Sequence, residues 1–386
     1  MGWKRKKSLT TELPPSLSIT GWSLSGMLTG IVSITLIIVQ QAGMLKPLSG
    51  INIWISSFVP FGAWILFFCI RLWLWGKNID EHNFHLKEAE RAQKEWKAWA
   101  ERYLAVVESC VFLPDTFTVS CLHNELPVSS GLTKKINYLA ENNIMHNAIE
   151  VLLRGTEESL SGLSSDLSLR VTLVTDMPAE ESKATFFSVW AILFPQLSAP
   201  SVNVHTTAFS MNWADERLKQ PELSVDLILV MQLKGSDEDT CSDGLAGLLL
   251  TSDDVAQKYQ LPHRARLMRP MQIDMNNFQD DITLYLETQT VGCHTSRVLS
   301  DSCCWATMTP LLMKIGREHG TSWKPAGNMV LEQWSGIPGP AAPWLLTAIA
   351  ADLISLHDLS LLTLFSSGEE RFISTVTSGS EDEHIG

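Results

Sequence analysis

Asp243–Ile273 reads DGLAGLLLTSDDVAQKYQLPHRARLMRPMQI. Its first run, Gly244–Thr251, is short and almost wholly apolar, which suits a buried strand. Ser252 then caps a helix over Asp253–Tyr259. Ala265–Ile273 reads as a further strand, and Pro270, which lacks an N–H, marks an edge or a bulge in it. Just upstream, Val225–Gln232 (VDLILVMQ) is apolar on both faces, as a parallel strand covered on both sides must be.

The same rhythm runs outward in both directions. Phe117–Leu122 (FTVSCL), Leu169–Thr175 (LRVTLVT) and Val202–Thr206 (VNVHT) read as strands. Leu132–Leu153 places Ile136, Leu139, Ala140, Ile144, Ala148, Ile149 and Leu152 on one helical face. Ala179–Phe194 is a helix framed by Pro178 and Pro195, and Asn212–Lys219 is a short one. Downstream, Thr283–Glu287 reads as a strand and Ser300–Glu318 as a helix interrupted near Pro310. Ala341–Ile354 (AAPWLLTAIAADLI) is a buried helix, and Leu359–Phe365 and Arg371–Val376 flank a Gly-containing hairpin turn. Strands alternating with helices predict a layered α/β domain with a largely parallel sheet over residues 109–377, then an acidic tail over 378–386.

Upstream of that domain the composition changes. Gly21–Val39 and Ile51–Ile70 carry no charge, and each approaches the ~20 residues an α-helix needs to cross a bilayer core. Residues 21–75 therefore read as a transmembrane helical hairpin behind a basic lead-in, 1–20. Lys4, Arg5, Lys6 and Lys7 precede it, Arg71 and Lys77 follow, and the connector holds only Lys46. The positive-inside bias then places both termini in the cytoplasm of a bacterial inner membrane. Trp22, Trp54, Arg71, Trp73 and Trp75 suit interfacial anchors, and Pro60 is tolerable mid-span. A cleaved signal peptide is the rival reading. The long apolar run, the lack of an A-x-A site and the second span argue against it.

Residues 76–108 read as a helical stalk. Ala89, Ala92, Trp96, Trp99, Tyr103 and Val106 recur at heptad-like steps. Trp96, Trp99 and Tyr103 form a seam that packs either on the chain's own domain or on another subunit of a homo-oligomer.

Net charge is −13 with no basic stripe after Lys77, which argues against a nucleic-acid partner. The seven cysteines are irregularly spaced and form no C-x-x-C pair, so neither a zinc site nor a disulfide framework is indicated. Cys303–Cys304 reads as core packing. No phosphate-binding glycine motif, zinc-protease motif or serine-hydrolase elbow occurs, so no cofactor or metal is expected. His82, His85 and His123 fit no ligand set, and the Asp237–Asp243 loop does not meet the calcium pattern.

The order of elements, with Asp243–Ile273 at its centre, resembles a thiolase-like, ketosynthase-type domain over Phe117–Val376. In that family a Gly-rich strand leads to a helix and then a strand of the A-x-V type. Tyr285–Thr290 (YLETQT) sits where such enzymes have a strand ending in H-G-T-G-T, and Ser335–Ile354 where they have a Gly-His segment and a small-residue helix. The resemblance implies a Cys nucleophile at a buried helix N-terminus and two His residues for the carbanion and oxyanion. Here the Cys turn reads Ala208-Phe209-Ser210, the first His position Gln289 or Thr290, and the second Ile337 or Pro338. Ser210 is the one nearby nucleophile, with no evident base. Catalytic residues are therefore expected to be absent. The hairpin-plus-domain layout also resembles inner-membrane accessories of type VI secretion systems. The expectation is a non-catalytic scaffold docking protein subunits of an envelope or secretion complex. The alternative is a membrane-bound acyl-processing enzyme.

Overall fold

The computed structural model describes residues 3, 12–42, 52–116, 119, 131–139, 143–220, 222–233 and 241–379. Of the predicted strand over Phe117–Leu122 only Val119 is described, and it is buried; the basic residues Lys4–Lys7, the connector with Lys46, and the loop residues Asp237–Asp239 lie outside the described residues. The chain divides into two compact units, Arg5–Glu95 on one hand and Met1–Lys4 with Trp96–Gly386 on the other.

The first unit is a helical hairpin. Helix α1 (Ile19–Gln41) starts at Ser18, whose Oγ accepts the Gly21 N–H at 3.3 Å. Helix α2 (Ile53–Ala100) runs unbroken through Pro60. Trp22 packs 5.2 Å from Phe68, while Trp64 Nε1 donates to Ser25 Oγ at 3.0 Å. Advancing along α1 thus means retreating along α2, so the two are antiparallel. Gly26 lets them approach, since a Cβ there would lie 2.8 Å from the Trp64 ring. Both helices are long and apolar enough to cross a membrane. The 48 residues of α2 reach about 70 Å, more than twice a ~30 Å hydrocarbon core, so the helix is longer than one bilayer crossing needs.

In the second unit, after the last turn of α2, a strand stands where the sequence predicts stalk. β1 (Tyr103–Phe112) follows Ala100 directly. Next come α3 (Ile144–Gly155), α4 (Glu157–Ser161), β2 (Ser168–Thr175), α5 (Ala179–Leu193), β3 (Ser201–His205), α6 (Asn212–Lys219), β4 (Ser224–Gln232), β5 (Gly244–Ser252) and α7 (Asp253–Tyr259). The chain continues through β6 (Ala265–Met268), β7 (Met271–Ile273), α8 (Phe278–Thr288), β8 (Arg297–Ser300), α9 (Thr309–Glu318), β9 (Asn328–Val330), α10 (Glu332–Ser335), α11 (Ala342–His357), β10 (Leu361–Ser367) and β11 (Glu370–Ser378).

The strand order is β3-β2-β4-β5-β1-β6-β11-β10-β8-β9. Read inward from either end, it is the same pattern: third, second, fourth, fifth, first. The halves are therefore two copies of one βαβαβαββ unit, meeting at the antiparallel pair β1–β6. Within each copy the third, second and fourth strands are parallel and the fifth is antiparallel, so the sheet is mixed rather than largely parallel.

Three large apolar cores, the central one lying on both sides of α11, pack helices against the sheet, and a small fourth surrounds Tyr103. Leu227 and Leu229 of β4 face α3 and α5 through Ile149, Leu152, Phe186 and Trp190. Ile228 and Val230, on the other face, meet Leu346, Ile349 and Leu353 of α11. The same α11 touches β10 and β11 of the second copy, whose outer face packs on α8 and α9. This two-sided burial is why β4 shows no alternation in sequence.

Several expectations are corrected. The helix predicted over Leu132–Leu153 starts only at Ile144, after Asn143 in a left-handed conformation (φ 64°). Thr283–Glu287 is helical, within α8, because Ile282, Tyr285 and Leu286 share a buried face. Cys303–Cys304 is not core: Cys303 is half-buried and Cys304 exposed. The break at Arg269–Pro270 falls between β6 and β7, both paired to β11.

Candidate functional site

Parallel strands leave their carboxyl ends on one side of the sheet, and ligands of open α/β folds gather there. At this edge lies a cavity of about 190 Å³. Val174, Thr175 and Asp176 end β2, Thr206 and Thr207 follow β3, and Met231 and Gln232 end β4. Cys241 and the N-terminus of α11, Pro340 and Ala341, complete the wall.

The wall is held mainly by side-chain bonds to the backbone of distant segments. Buried Gln232 donates Nε2 to the Ser242 carbonyl and accepts the Ala341 N–H at 3.4 Å. Asp176 accepts the Leu233 N–H at 3.0 Å. Residues 132–136 form an extended strap. Ser242 Oγ accepts the Lys134 N–H at 3.0 Å, and Asp243 Oδ2 accepts that of Ile136 at 2.8 Å. Leu132 O accepts the Ile337 N–H at 3.0 Å. Gly336, at φ +84°, makes this closure possible, because a Cβ there would lie 2.2 Å from Ser242 Oγ.

The turn after β3 is filled by rings. Phe209 stacks on Trp344 at 5.1 Å, Trp213 stands 5.6 Å from both, and His205 lies 4.6 Å from Phe209. Trp344 Nε1 donates to the Phe209 carbonyl at 2.8 Å. Ser210 is not without an acceptor. Its hydroxyl donates to Glu370 Oε2 at 2.7 Å, while Asn212 Nδ2 donates to Oε1 at 3.2 Å. Ser210 does not line the cavity.

Gln289 follows α8, donating to the Ala100 and Arg269 carbonyls. The second strand of the C-terminal copy is β8, so the residue following that strand is Asp301. Its oxygens are occupied by Trp305 Nε1 at 2.8 Å and the Ser366 N–H at 2.6 Å. Burial pushes its carboxyl pKa up, against those hydrogen bonds. Gly336-Ile337 precedes α11 as expected, and Ile337 supplies backbone groups to the closure.

Of the other thiols, Cys110 is driven up to about 12 by burial, with Asp352 adding to the rise, and is chemically quiet. No cluster of three metal-ligating side chains occurs among the described residues. His82 and His85 lie in α2, and His123 is outside the described residues. Of the anchor residues, Trp22 packs on Phe68, Trp54 begins α2, and Arg71, Trp73 and Trp75 lie further along α2. Of the seam, Trp96 and Trp99 stack at 4.7 Å in the last turns of α2, whereas Tyr103 is in β1. Arg269 lies 4.2 Å over the Trp99 ring, and Arg266 4.9 Å over that of Tyr103. Sequence reasoning missed Cys241 as a cavity residue; its only local signal is a position between an acidic loop and a glycine-rich strand.

No protein-family model and no curated protein matches the chain. Solved structures do. One is a type II polyketide acyl-carrier protein in complex with its ketosynthase bound to the hexaketide, AntDE:AntF. The likeness has a TM-score of 0.52 at 12% identity and covers 72% of this chain and 99% of that one. An OleA variant from Xanthomonas campestris matches at 10% identity and TM-score 0.46, covering 72% and 99%. A 3-oxoacyl-[acyl-carrier-protein] synthase III from Aquifex aeolicus matches at 15% and 0.42, covering 71% and 99%. At such identity the first likeness speaks for the fold alone: the domain is thiolase-like.

Proposed function

We propose, with the thiolase-like fold as premise, that this chain is a membrane-tethered member of that fold that docks a protein partner rather than joining acyl groups. One observation carries the reading: where the resemblance implies a Cys and two His residues, this chain has Ala208, Asp301 and Ile337. Thioester attack needs an activated nucleophile, and the turn after β3 holds Ala208 beside an aromatic stack. Oxyanion stabilisation needs donors aimed at the developing charge. Asp301 has both oxygens engaged, and Ile337 has no polar side chain. The two apolar helices support a membrane tether, and the flanking basic residues support cytoplasmic termini. The partner class is an envelope complex such as a type VI secretion system, a reading that rests on the hairpin layout. The test is purification in mild detergent with mass spectrometry of what accompanies the chain. Envelope or secretion subunits, lost on deleting the domain, are expected. Acyl-carrier protein or lipid-synthesis enzymes in their place would overturn it.

A second reading is acyl transfer, favoured by Cys241 on the cavity wall. There the thiolate would attack an acyl thioester and release the carrier thiol. An electrophilic acyl probe decides between them. Docking predicts no stoichiometric label, whereas acyl transfer predicts one label at Cys241 that disappears in Cys241→Ser.

A further inference from the structure

Trp3 precedes both apolar helices, yet its ring packs in the second unit. It stands edge-on to Trp99 at 5.4 Å and to Trp96 at 6.5 Å, and lies 5.5 Å from Tyr285. The socket it enters is fixed from behind. Tyr285 bonds Gln289 and, at 2.7 Å, Thr375, and Gln289 Nε2 donates to the Ala100 carbonyl at 2.7 Å. Arg269 Nε donates to the Trp99 carbonyl at 2.9 Å. The last turn of α2 is thus bonded to the domain and offers a rigid aromatic recess, half-burying Trp3.

We propose that Trp3 is a latch, the chain's own N-terminus serving as the ligand of the Trp96–Trp99–Tyr285 socket. The latch ties the chain entering α1 to the chain leaving α2. If both helices are membrane spans, the reading on which this consequence rests, the crossings must be even in number and both ends of the hairpin share one face. That conclusion is independent of the flanking charge. It also requires that the N-terminus is retained, since cleavage after α1 would empty the socket.

The test uses the full-length chain in sealed membrane vesicles, with Trp3 replaced by p-benzoylphenylalanine. Irradiation is expected to cross-link position 3 to peptides containing Trp96–Trp99 or Tyr285, with yield reduced several-fold by Trp99→Ala. Cross-links only elsewhere, or none, would overturn the latch. Tags before Met1 and after Gly386 should be digested from the same side of the vesicle; opposite sides would overturn the shared face. A carbonate wash separates the premise from the proposal. Release of the chain would end the spanning reading and its shared-face consequence, and the cross-link would still decide the latch.

Discussion

Single residues of this domain carry charge into places where its protonation matters. Asp352 of α11 accepts the Ser109 hydroxyl from β1. Burial pushes its carboxyl up to about 6, Glu108 adds to the rise, and Ser109 and Arg264 oppose it. A carboxyl whose pKa is raised by folding binds its proton more tightly in the native state than in the unfolded chain, where it titrates near ~3.9. Its contribution is therefore full below ~3.9 and is lost as pH rises through the folded value of about 6. Two units correspond to at most about 3 kcal/mol. Asp352→Asn should flatten the dependence of the denaturant midpoint on pH between 4 and 6 (about that window). An unchanged slope would assign it to other groups. At this scale the sequence alone places Ala208 after a strand and Ile337 before a helix. It does not place Asp301, because a four-residue strand, β8, leaves too little pattern.

Among elements, α6 shows how a short helix is held where its sequence alone would not keep it. Eight residues are marginal for helix formation in water, so packing must supply the stability. Arg217 does much of this. Its Nε donates to Asp226 Oδ2 of β4 at 2.7 Å, and its other nitrogens donate to the Gln220 and Ser224 carbonyls. Arg170 of β2 shares Asp226 at 2.8 Å. Arg217→Ala removes one partner of a buried pair, which typically costs about 3–5 kcal/mol. Amides of α6 should lose hydrogen-exchange protection before those of β4, and equal loss in both would mean that α6 is not held separately. Boundaries of α5, α6, α7 and the β10–β11 hairpin were legible, because prolines and turn residues act locally, although Ser252, expected to cap α7, makes no side-chain capping bond. β1 was not. Trp99, Tyr103 and Val106 continue a helical spacing on paper, but Tyr103–Phe112 is rich in β-branched residues and is claimed by β5 and β6 on either side.

The whole domain turns on α11. It is the layer shared by both copies, and Leu346 is fully buried in the central core. Leu346→Ala should cost about 2–5 kcal/mol. Because both halves of the sheet rest on the same helix, protection of β4 and β10 amides should fall together. Loss confined to one copy would show that the halves unfold separately.

By itself the sequence determined the two membrane-length helices, the alternation of strands and helices, and that the turn after β3 reads Ala208-Phe209-Ser210. Each follows from local properties: uninterrupted apolar length, side-chain period and residue identity at one position. Tertiary structure alone decided the doubled strand order, the place of Asp301, the meeting of Cys241 with Ala341, and the seating of Trp3 against Trp99. These are contacts between segments far apart in the chain. Closure of the sheet and burial of its two faces set them, and no local propensity encodes which distant partner a strand or a ring will find.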